Sequence, residues 1–507
     1  MEYVSAALHI IGDWTNLGLL AVGLVLGSLF GVLPGVSVLT AVVLVLPLTY
    51  ALSSEGSIIL LIGIYVSGIF AGSTTAILFN IPGDPQNACT AIDGYPMTRK
   101  GKAAKAIGAA IVSSAIGGLF GCLVLILVSR QLATVSLAFG PAEYFALTFL
   151  GLSVVSGLGV SSYGKTVLSV LAGLLLATFG VSEVSGESRF TFGIEILNSG
   201  FNFVPVIIGA LAMSEVFEKA GDTKGLTGKY SGKAFSIRDG LPDMAEAKAM
   251  LPAWARGGAL GTFIGALPGA GATVAAFVAY GVERAVNVRR KFFGRGEIAG
   301  VAAPETANNA AGMGTLVPLL ALGIPGGGVA AVMLSALQIH GLQPGPLMFI
   351  SQPVMVQVIF ITALIANALI LCIGPWQARY IVRLLTLPSY LLYPAIAVFC
   401  IVGAYSVNNN IFDVWVMLAS GLVGAYLRTH GYSVVALVLG MVLGPIAEGA
   451  FVQGMIMFSS PLGFVSRPLS ASMIALGVVF LTLPLLLRAF GSLRSWSKGA
   501  NLSASAD

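Results

Sequence analysis

Gly23-Leu24-Val25-Leu26-Gly27-Ser28-Leu29-Phe30-Gly31-Val32-Leu33-Pro34-Gly35 places a glycine at every fourth position and closes on Leu-Pro-Gly. The device returns 234 positions later in Gly257, Gly261, Gly265 and Gly269, closed by Leu267-Pro268-Gly269. Glycine every four residues lines one face of a helix and lets a second backbone approach closely. The Pro-Gly ending then stops that helix, because proline removes a donor and glycine permits a turn. The same device at the same place in two stretches reads as duplication.

A second pair follows each ladder. Gly72-Ser73-Thr74-Thr75 opens an apolar segment that is cut at Ile81-Pro82-Gly83, ahead of Asp84. Gly314-Thr315 opens another, cut at Ile324-Pro325-Gly326 and followed by Gly327. Each half therefore carries two interrupted hydrophobic segments.

The 507 residues are 57% hydrophobic and only 9% charged, with a mean hydropathy of +0.93. A soluble domain carries roughly 25% charged residues. Stretches such as Ile58 to Ile81, Ala106 to Ser129, Gly312 to Ala378 and Leu469 to Leu487 contain no Asp, Glu, Lys or Arg. Each is long enough to cross the hydrocarbon, and helices are the default spanning element. The composition thus predicts an all-α polytopic membrane protein in a lipid bilayer. Cys89, Cys122, Cys372 and Cys400 are scattered, as are His9, His340 and His430, so neither a disulfide framework nor a metal site is expected. The first sixteen residues hold Glu2 and Asp13 but no Lys or Arg, so no cleavable leader is expected.

Hydropathy predicts a broken hairpin near 17–50, then spans near 58–80, 106–129, 141–160, 165–182 and 202–218. A polar linker follows, 219–256. A second broken hairpin near 257–283 leads into spans near 312–338, 354–376, 388–408, 411–427, 432–451 and 469–487. That makes about 11 spanning helices plus two broken or re-entrant helical hairpins. The domains so read are a first transmembrane repeat (17–218), a cytoplasmic linker (219–256) and a second repeat with an extra C-terminal helix (257–487).

Alternating the loops across the membrane, with each hairpin entering and leaving on one face, puts 23 of the 26 Lys and Arg on one side. By the positive-inside rule that side is cytoplasmic, with the N-terminus outside and the C-terminus inside. The charges are explained by loop placement, and no nucleic-acid partner is implied. The loop after the first Ile-Pro-Gly segment holds Arg99 and Lys100, whereas its counterpart from His340 to Met348 has neither Lys nor Arg. The two halves are then inverted-topology repeats, an architecture of secondary transporters.

Interrupted helices at membrane depth leave backbone N–H and C=O groups unpaired, which is tolerable only around a polar cavity. Free N–H groups at helix N-termini attract anions, and free carbonyls hold cations. The candidate substrate or ion residues are Gly35, Ser37 and Thr40 in the first hairpin, Gly72, Ser73, Thr74, Thr75, Asn80, Pro82, Gly83 and Asp84 beyond it, Gly269 and Thr273 in the second hairpin, and Asn308, Asn309, Thr315, Pro325, Gly326 and Gly327. The bland alternative is helix packing, and Gly23, Gly27, Gly257 and Gly261 read that way. Asp84, Asp93 and Glu305 read equally as ligands of a coupling cation or proton and as turn or structural residues. Lys165, Asp413 and Glu448 read as interfacial. The sequence has neither HExxH nor GxxxxGK[ST], and no nucleophile–base pair, so an intramembrane enzyme is disfavoured and no cofactor is expected. A passive organic-anion channel stays open as an alternative, because broken helices serve both channels and transporters.

Five of these stretches carry a family resemblance: Gly31-Val32-Leu33-Pro34-Gly35, Ser73-Thr74-Thr75-Ala76-Ile77-Leu78-Phe79-Asn80-Ile81-Pro82-Gly83, Asp93-Gly94-Tyr95-Pro96-Met97, Gly265-Ala266-Leu267-Pro268-Gly269 and Ala303-Pro304-Glu305-Thr306-Ala307-Asn308-Asn309-Ala310. Together they resemble the large membrane subunit of the tripartite tricarboxylate transporters, over nearly the whole chain. The resemblance implies a multi-pass permease of the bacterial inner membrane that takes up carboxylates such as citrate. It further implies a small membrane subunit and a periplasmic solute-binding protein as partners, and a Na⁺ or H⁺ gradient as the driving force.

Overall fold

Proline and glycine set several of the helix ends in the computed structural model. It describes residues 2–33, 36–158, 162–182, 186–219, 240–269, 271–380 and 389–503, without the side chains of 158, 219, 389–392 and 486–503. The predicted Pro-Gly turn at Pro34 and Gly35 and most of the polar linker therefore lie outside the described residues. The helices are α1 Glu2–Gly12, α2 Trp14–Val32, α3 Val38–Val45, α4 Ser54–Phe79, α5 Ala88–Arg99, α6 Ala103–Ser136, α7 Pro141–Leu158, α8 Tyr163–Ala177, α9 Phe203–Ile207 and α10 Ser214–Lys219. They continue as α11 Met244–Ala266, α12 Gly271–Val286, α13 Ile298–Gly314, α14 Leu316–Leu322, α15 Gly328–Ile339, α16 Met348–Ser351, α17 Pro353–Tyr380, α18 Ser389–Asn408, α19 Ile411–Thr429, α20 Val434–Phe458 and α21 Pro468–Ser503. A π-helical turn, Ile208–Met213, joins α9 to α10.

Seven described helices are long and apolar enough to cross a membrane: α2, α4, α6, α17, α19, α20 and the part of α21 from Pro468 to Leu485. Shorter apolar helices occupy Val38–Ala51, Tyr163–Ala177, Gly328–Ile339 and Tyr393–Asn408. The span expected at 312–338 is cut into the end of α13, then α14 and α15, because Gly323 to Gly327 cannot continue a helix. The expected second hairpin also starts earlier than its glycines. Asp243 caps α11 in a capping box with Glu246, so 244–256 of the polar linker is helical.

The chain divides into two compact units. One comprises 1–138 and 201–430 and holds both ladders; the other comprises 139–200 and 431–507. In the second unit α7 packs on α20 and α21, and α8 packs on α20. Two ion pairs tie it together, Arg467 to Glu143 at 2.8 Å and Arg189 to Glu448 at 2.5 Å.

In the first unit the ladder glycines are where helices touch. A Cβ on Gly23 or Gly27 would collide with the carbonyl oxygen of Leu60 or Ile64 on α4, and one on Gly31 would lie 2.6 Å from that of Gly68. The second ladder repeats the pattern on α13. There a Cβ on Gly257 would lie 2.8 Å from the Ala303 carbonyl oxygen, and Cβ atoms on Gly261 and Gly265 would collide with those of Ala307 and Ala311. Each glycine thus meets a carbonyl one turn further along the partner helix. Any larger residue would force the two backbones apart, since real Cβ atoms do not approach carbonyl oxygens so closely.

Candidate functional site

The two Ile-Pro-Gly breaks end their helices in the same way. Asn80 takes the left-handed conformation (φ 59°, ψ 30°) after α4, and Gly323 takes it (φ 72°, ψ 17°) after α14. The Asn80 N–H donates to Ala76 O at 3.1 Å and the Ile81 N–H to Thr75 O at 3.5 Å. Their counterparts are Gly323 N–H to Leu319 O at 3.0 Å and Ile324 N–H to Pro318 O at 3.3 Å. This is a glycine-type helix stop, with asparagine as the side chain that best tolerates the left-handed region. The following proline then commits the chain to an extended course.

Past each break the chain crosses the end of a ladder. Gly83 N–H donates to Gly72 O at 3.4 Å, and a Cβ on Gly83 would lie 2.7 Å from the Gly72 Cα and collide with the Gly31 carbonyl. In the second half a Cβ on Gly326 would lie 2.7 Å from the Thr315 Cα and 2.8 Å from the Gly265 carbonyl. Gly269, at φ 81°, donates its N–H to Gly326 O at 2.9 Å. So Gly31, Gly72 and Gly83 form one crossing, and Gly265, Thr315 and Gly326 the other. Tyr65 on α4 links the first half to the second crossing. Its hydroxyl donates to Gly312 O at 3.2 Å and lies 3.1 Å from Thr315 Oγ1.

Around the first crossing the polar groups already serve one another. Asp84 Oδ2 accepts from the Val38 N–H at 3.2 Å, so a carboxylate of the chain itself sits on the N-terminus of α3. Ser37 Oγ accepts from Thr40 N–H at 3.1 Å, and the Thr40 hydroxyl donates to Glu215 at 3.1 Å. Glu215 pairs in turn with Arg428 at 3.0 Å. Ser73 and Thr75 donate to carbonyls of their own helix, at Phe70 and Gly72. Thr74 accepts from Gln377 of α17 at 3.3 Å. Asn80 is exposed, Pro82 is half-buried, and Pro325 and Gly327 are buried. Thr273 lies half-buried in the first turn of α12. Gly35 lies outside the described residues.

Asn308 and Asn309 are buried on α13, upstream of Thr315. Asn309 Nδ2 donates to Glu305 O at 3.0 Å and to Asn308 Oδ1 at 2.6 Å, while Asn308 Nδ2 has no acceptor at hydrogen-bonding geometry. Asp93 takes a different part from these. It is fully buried and accepts from the N–H groups of Gly294, Gly296 and Glu297 at 2.8 to 3.0 Å and from the Tyr280 hydroxyl at 2.9 Å. It clasps α5 to the entry of α13, a structural task. Burial pushes the neighbouring Glu297 carboxyl up in pKa, with Arg289 at 3.2 Å opposing.

Tyr65, Asn87, Gln377 and Glu215 were not singled out by the sequence. Their partners are remote in the chain, and a lone Tyr or Gln in an apolar run carries no periodic signal.

The family model described as the tripartite tricarboxylate transporter TctA family matches residues 17–439, a span that contains both ladders, both breaks and both crossings. The chain belongs to this family. An uncharacterized 52.8 kDa protein in the TAR-I ttuC′ 3′ region of Agrobacterium vitis is 38% identical over 469 residues, covering 92% of each chain. An uncharacterized protein in the TAR-II ttuC′ 3′ region of the same organism is 40% identical over 227 residues, which is 45% of this chain and 94% of that relative. No solved structure matches. Membership of the TctA family makes the chain a permease component of a tricarboxylate transporter, and both crossings fall within the matched residues.

Proposed function

We propose that this TctA-family chain imports tricarboxylates or related carboxylates by alternating access, driven by a Na⁺ or H⁺ gradient. Substrate carboxylates are held near the bilayer midplane where the broken helices cross, by backbone N–H groups and the hydroxyl and amide side chains around them. The observation that carries this reading is the pair of matched breaks, each stopped by a left-handed residue and crossing a glycine ladder. Interrupted helices in corresponding places are the recurrent site architecture of secondary transporters.

The residues assigned to binding are Ser37, Thr40, Gly72 to Thr75, Asn80 and Pro82 to Asp84 in the first half. In the second they are Gly269, Thr273, Asn308, Asn309, Thr315 and Pro325 to Gly327, with Gly35 completing the first hairpin. The halves 17–218 and 257–487 are inverted repeats of about 11 spans in total, joined by a cytoplasmic linker. The membrane is the bacterial inner one, and the C-terminus is cytoplasmic. The partners are a small membrane subunit and a periplasmic solute-binding protein, the latter supplying high-affinity capture.

The test is uptake of labelled citrate into vesicles holding the chain with both partners, under imposed Na⁺ or pH gradients. Accumulation against the citrate gradient supports the reading. Equilibration without accumulation would make the chain a passive organic-anion channel.

A further inference from the structure

Glu305 takes no part in either crossing, yet it is fully buried on α13. One carboxylate oxygen accepts from the Thr90 hydroxyl of α5 and the other from the Ser114 hydroxyl of α6 at 2.8 Å. The amides of Asn87 and Asn308 lie beside it. Among the described residues no Lys, Arg or His forms an ion pair with it. A lone carboxylate in so dry a place is costly as an anion unless it can take up a proton.

Several ionisable groups on the elements around it are engaged elsewhere, and Arg99 of α5, Arg130 of α6, Lys248 of α11 and Arg284 of α12 form no ion pair with it. On α5, Asp93 has its four donors, and Cys89 gives its thiol to Ala276 O at 3.6 Å. Asp84, before α5, caps α3. Tyr65 of α4 binds at Thr315, and Tyr280 of α12 binds Asp93. Glu283 of α12 pairs with Arg256 of α11, and Lys105 of α6 with Glu246. Helix α14 carries no ionisable residue.

The surroundings suit a proton better than a metal cation. A sodium ion needs oxygen lone pairs. Such an ion takes about six oxygens, and here Asn87 Oδ1 and Asn308 Oδ1 have each given one of their two lone pairs to a hydrogen bond, from the Asp84 N–H at 3.2 Å and from Asn309 at 2.6 Å. We propose that Glu305 is the site that binds and releases the coupling proton of this transporter. The proposal rests on the gradient-driven permease reading above and narrows its ion to H⁺.

Glu305 is also placed to transmit that event. Both hydroxyls donate to the ionised carboxylate. Once a proton sits on one oxygen, that oxygen becomes a donor, and Thr90 or Ser114 must turn to accept. Thr90 lies on the helix that follows the first Ile-Pro-Gly break, and Asn87 braces that break through Asp84 N–H and Ile69 O. Pro304, just before Glu305, leaves the Gly300 carbonyl without its helical donor, so α13 can flex there.

The test uses the complete transporter in vesicles, with labelled citrate as the probe and Glu305→Gln as the variant. Accumulation driven by an inward proton gradient should fall about ten-fold further than citrate exchange at equal pH does. Accumulation equal to wild type in E305Q, or wild-type accumulation that follows Na⁺ alone, would overturn the proposal. A second readout needs no transport. Infrared titration of the purified protein between about pH 4 and 9 should show a buried carboxylic-acid band that fades with rising pH and is missing in E305Q. In Ser114→Ala, which removes a donor to the anion, that band should persist to higher pH. A wild-type protein without the band sinks the proposal even where E305Q abolishes exchange as well. Failure of wild type to take up citrate while the band titrates counts instead against the permease reading.

Discussion

Asp93 and Asp84 are both buried aspartates near the first break, and their donors separate them. Asp93 has three backbone N–H groups and a phenol, whereas Asp84 takes the Val38 N–H and caps the short turn that follows it. Replacing Asp93 by Asn puts an amide N–H against donors, so Asp93→Asn should lose at least one charge-assisted bond, about 1.5–3 kcal/mol. Thermal unfolding in detergent should show the loss, with Asp84→Asn affected less. The hydroxyls near the breaks divide similarly. Ser73 and Thr75 also donate to carbonyls of their own helix, so under the proposed reading S73A and T75A should cost apparent affinity less than changes at Thr74 and Asn309 do. Thr74 is held by Gln377 of another helix, and Asn309 pairs with Asn308 beside Glu305 on α13; under the proposed reading T74A and N309A should weaken apparent affinity for citrate by roughly ten-fold. Uptake measured against membrane expression checks this, and equal kinetics in all four variants would move the site elsewhere.

At the scale of helices, the glycine ladders were legible because only glycine lets backbones meet so closely. Gly27→Ala and Gly261→Ala should each destabilise by about 1–3 kcal/mol, since their Cβ atoms would strike carbonyls that cannot retreat. Gly18 and Gly281 have open space around them, so alanine there should be neutral or slightly stabilising. Folding yield of the four variants is the measurement. The breaks were legible too, although the sequence credits proline with what the left-handed residue does. Since Asn80 and Gly323 end the helices before the prolines are reached, Pro82→Ala should be milder than Gly323→Val. The valine would meet the Pro344 carbonyl as well as a strained φ. The π turn at Ile208–Met213 was not legible, nor were the contacts of Glu305, whose hydroxyl partners stand 215 and 191 residues away. Pattern reading sees neighbours one or two turns off, and chemistry assembled from three helices leaves no period.

For the whole molecule the sharpest test is sidedness. Val288 is 99% exposed in the basic stretch after α12, and Leu347 is 66% exposed in the segment without Lys or Arg. Under the inverted-repeat reading a cysteine at Leu347 reacts with an impermeant thiol reagent from the periplasm, and one at Val288 does not. Reaction of both from the same side would end that reading. Helix α4, every residue of whose apolar core is enclosed, carries a different consequence. It is synthesised early, but the Gln377 amide that holds its Ala71 carbonyl and Thr74 hydroxyl arrives 306 and 303 residues later. Closing so long a loop is slow. For most of translation α4 is therefore an unfinished surface of glycines and hydroxyls in lipid, and a ribosome that stalls before α17 releases a chain whose central helix has lost its last partner.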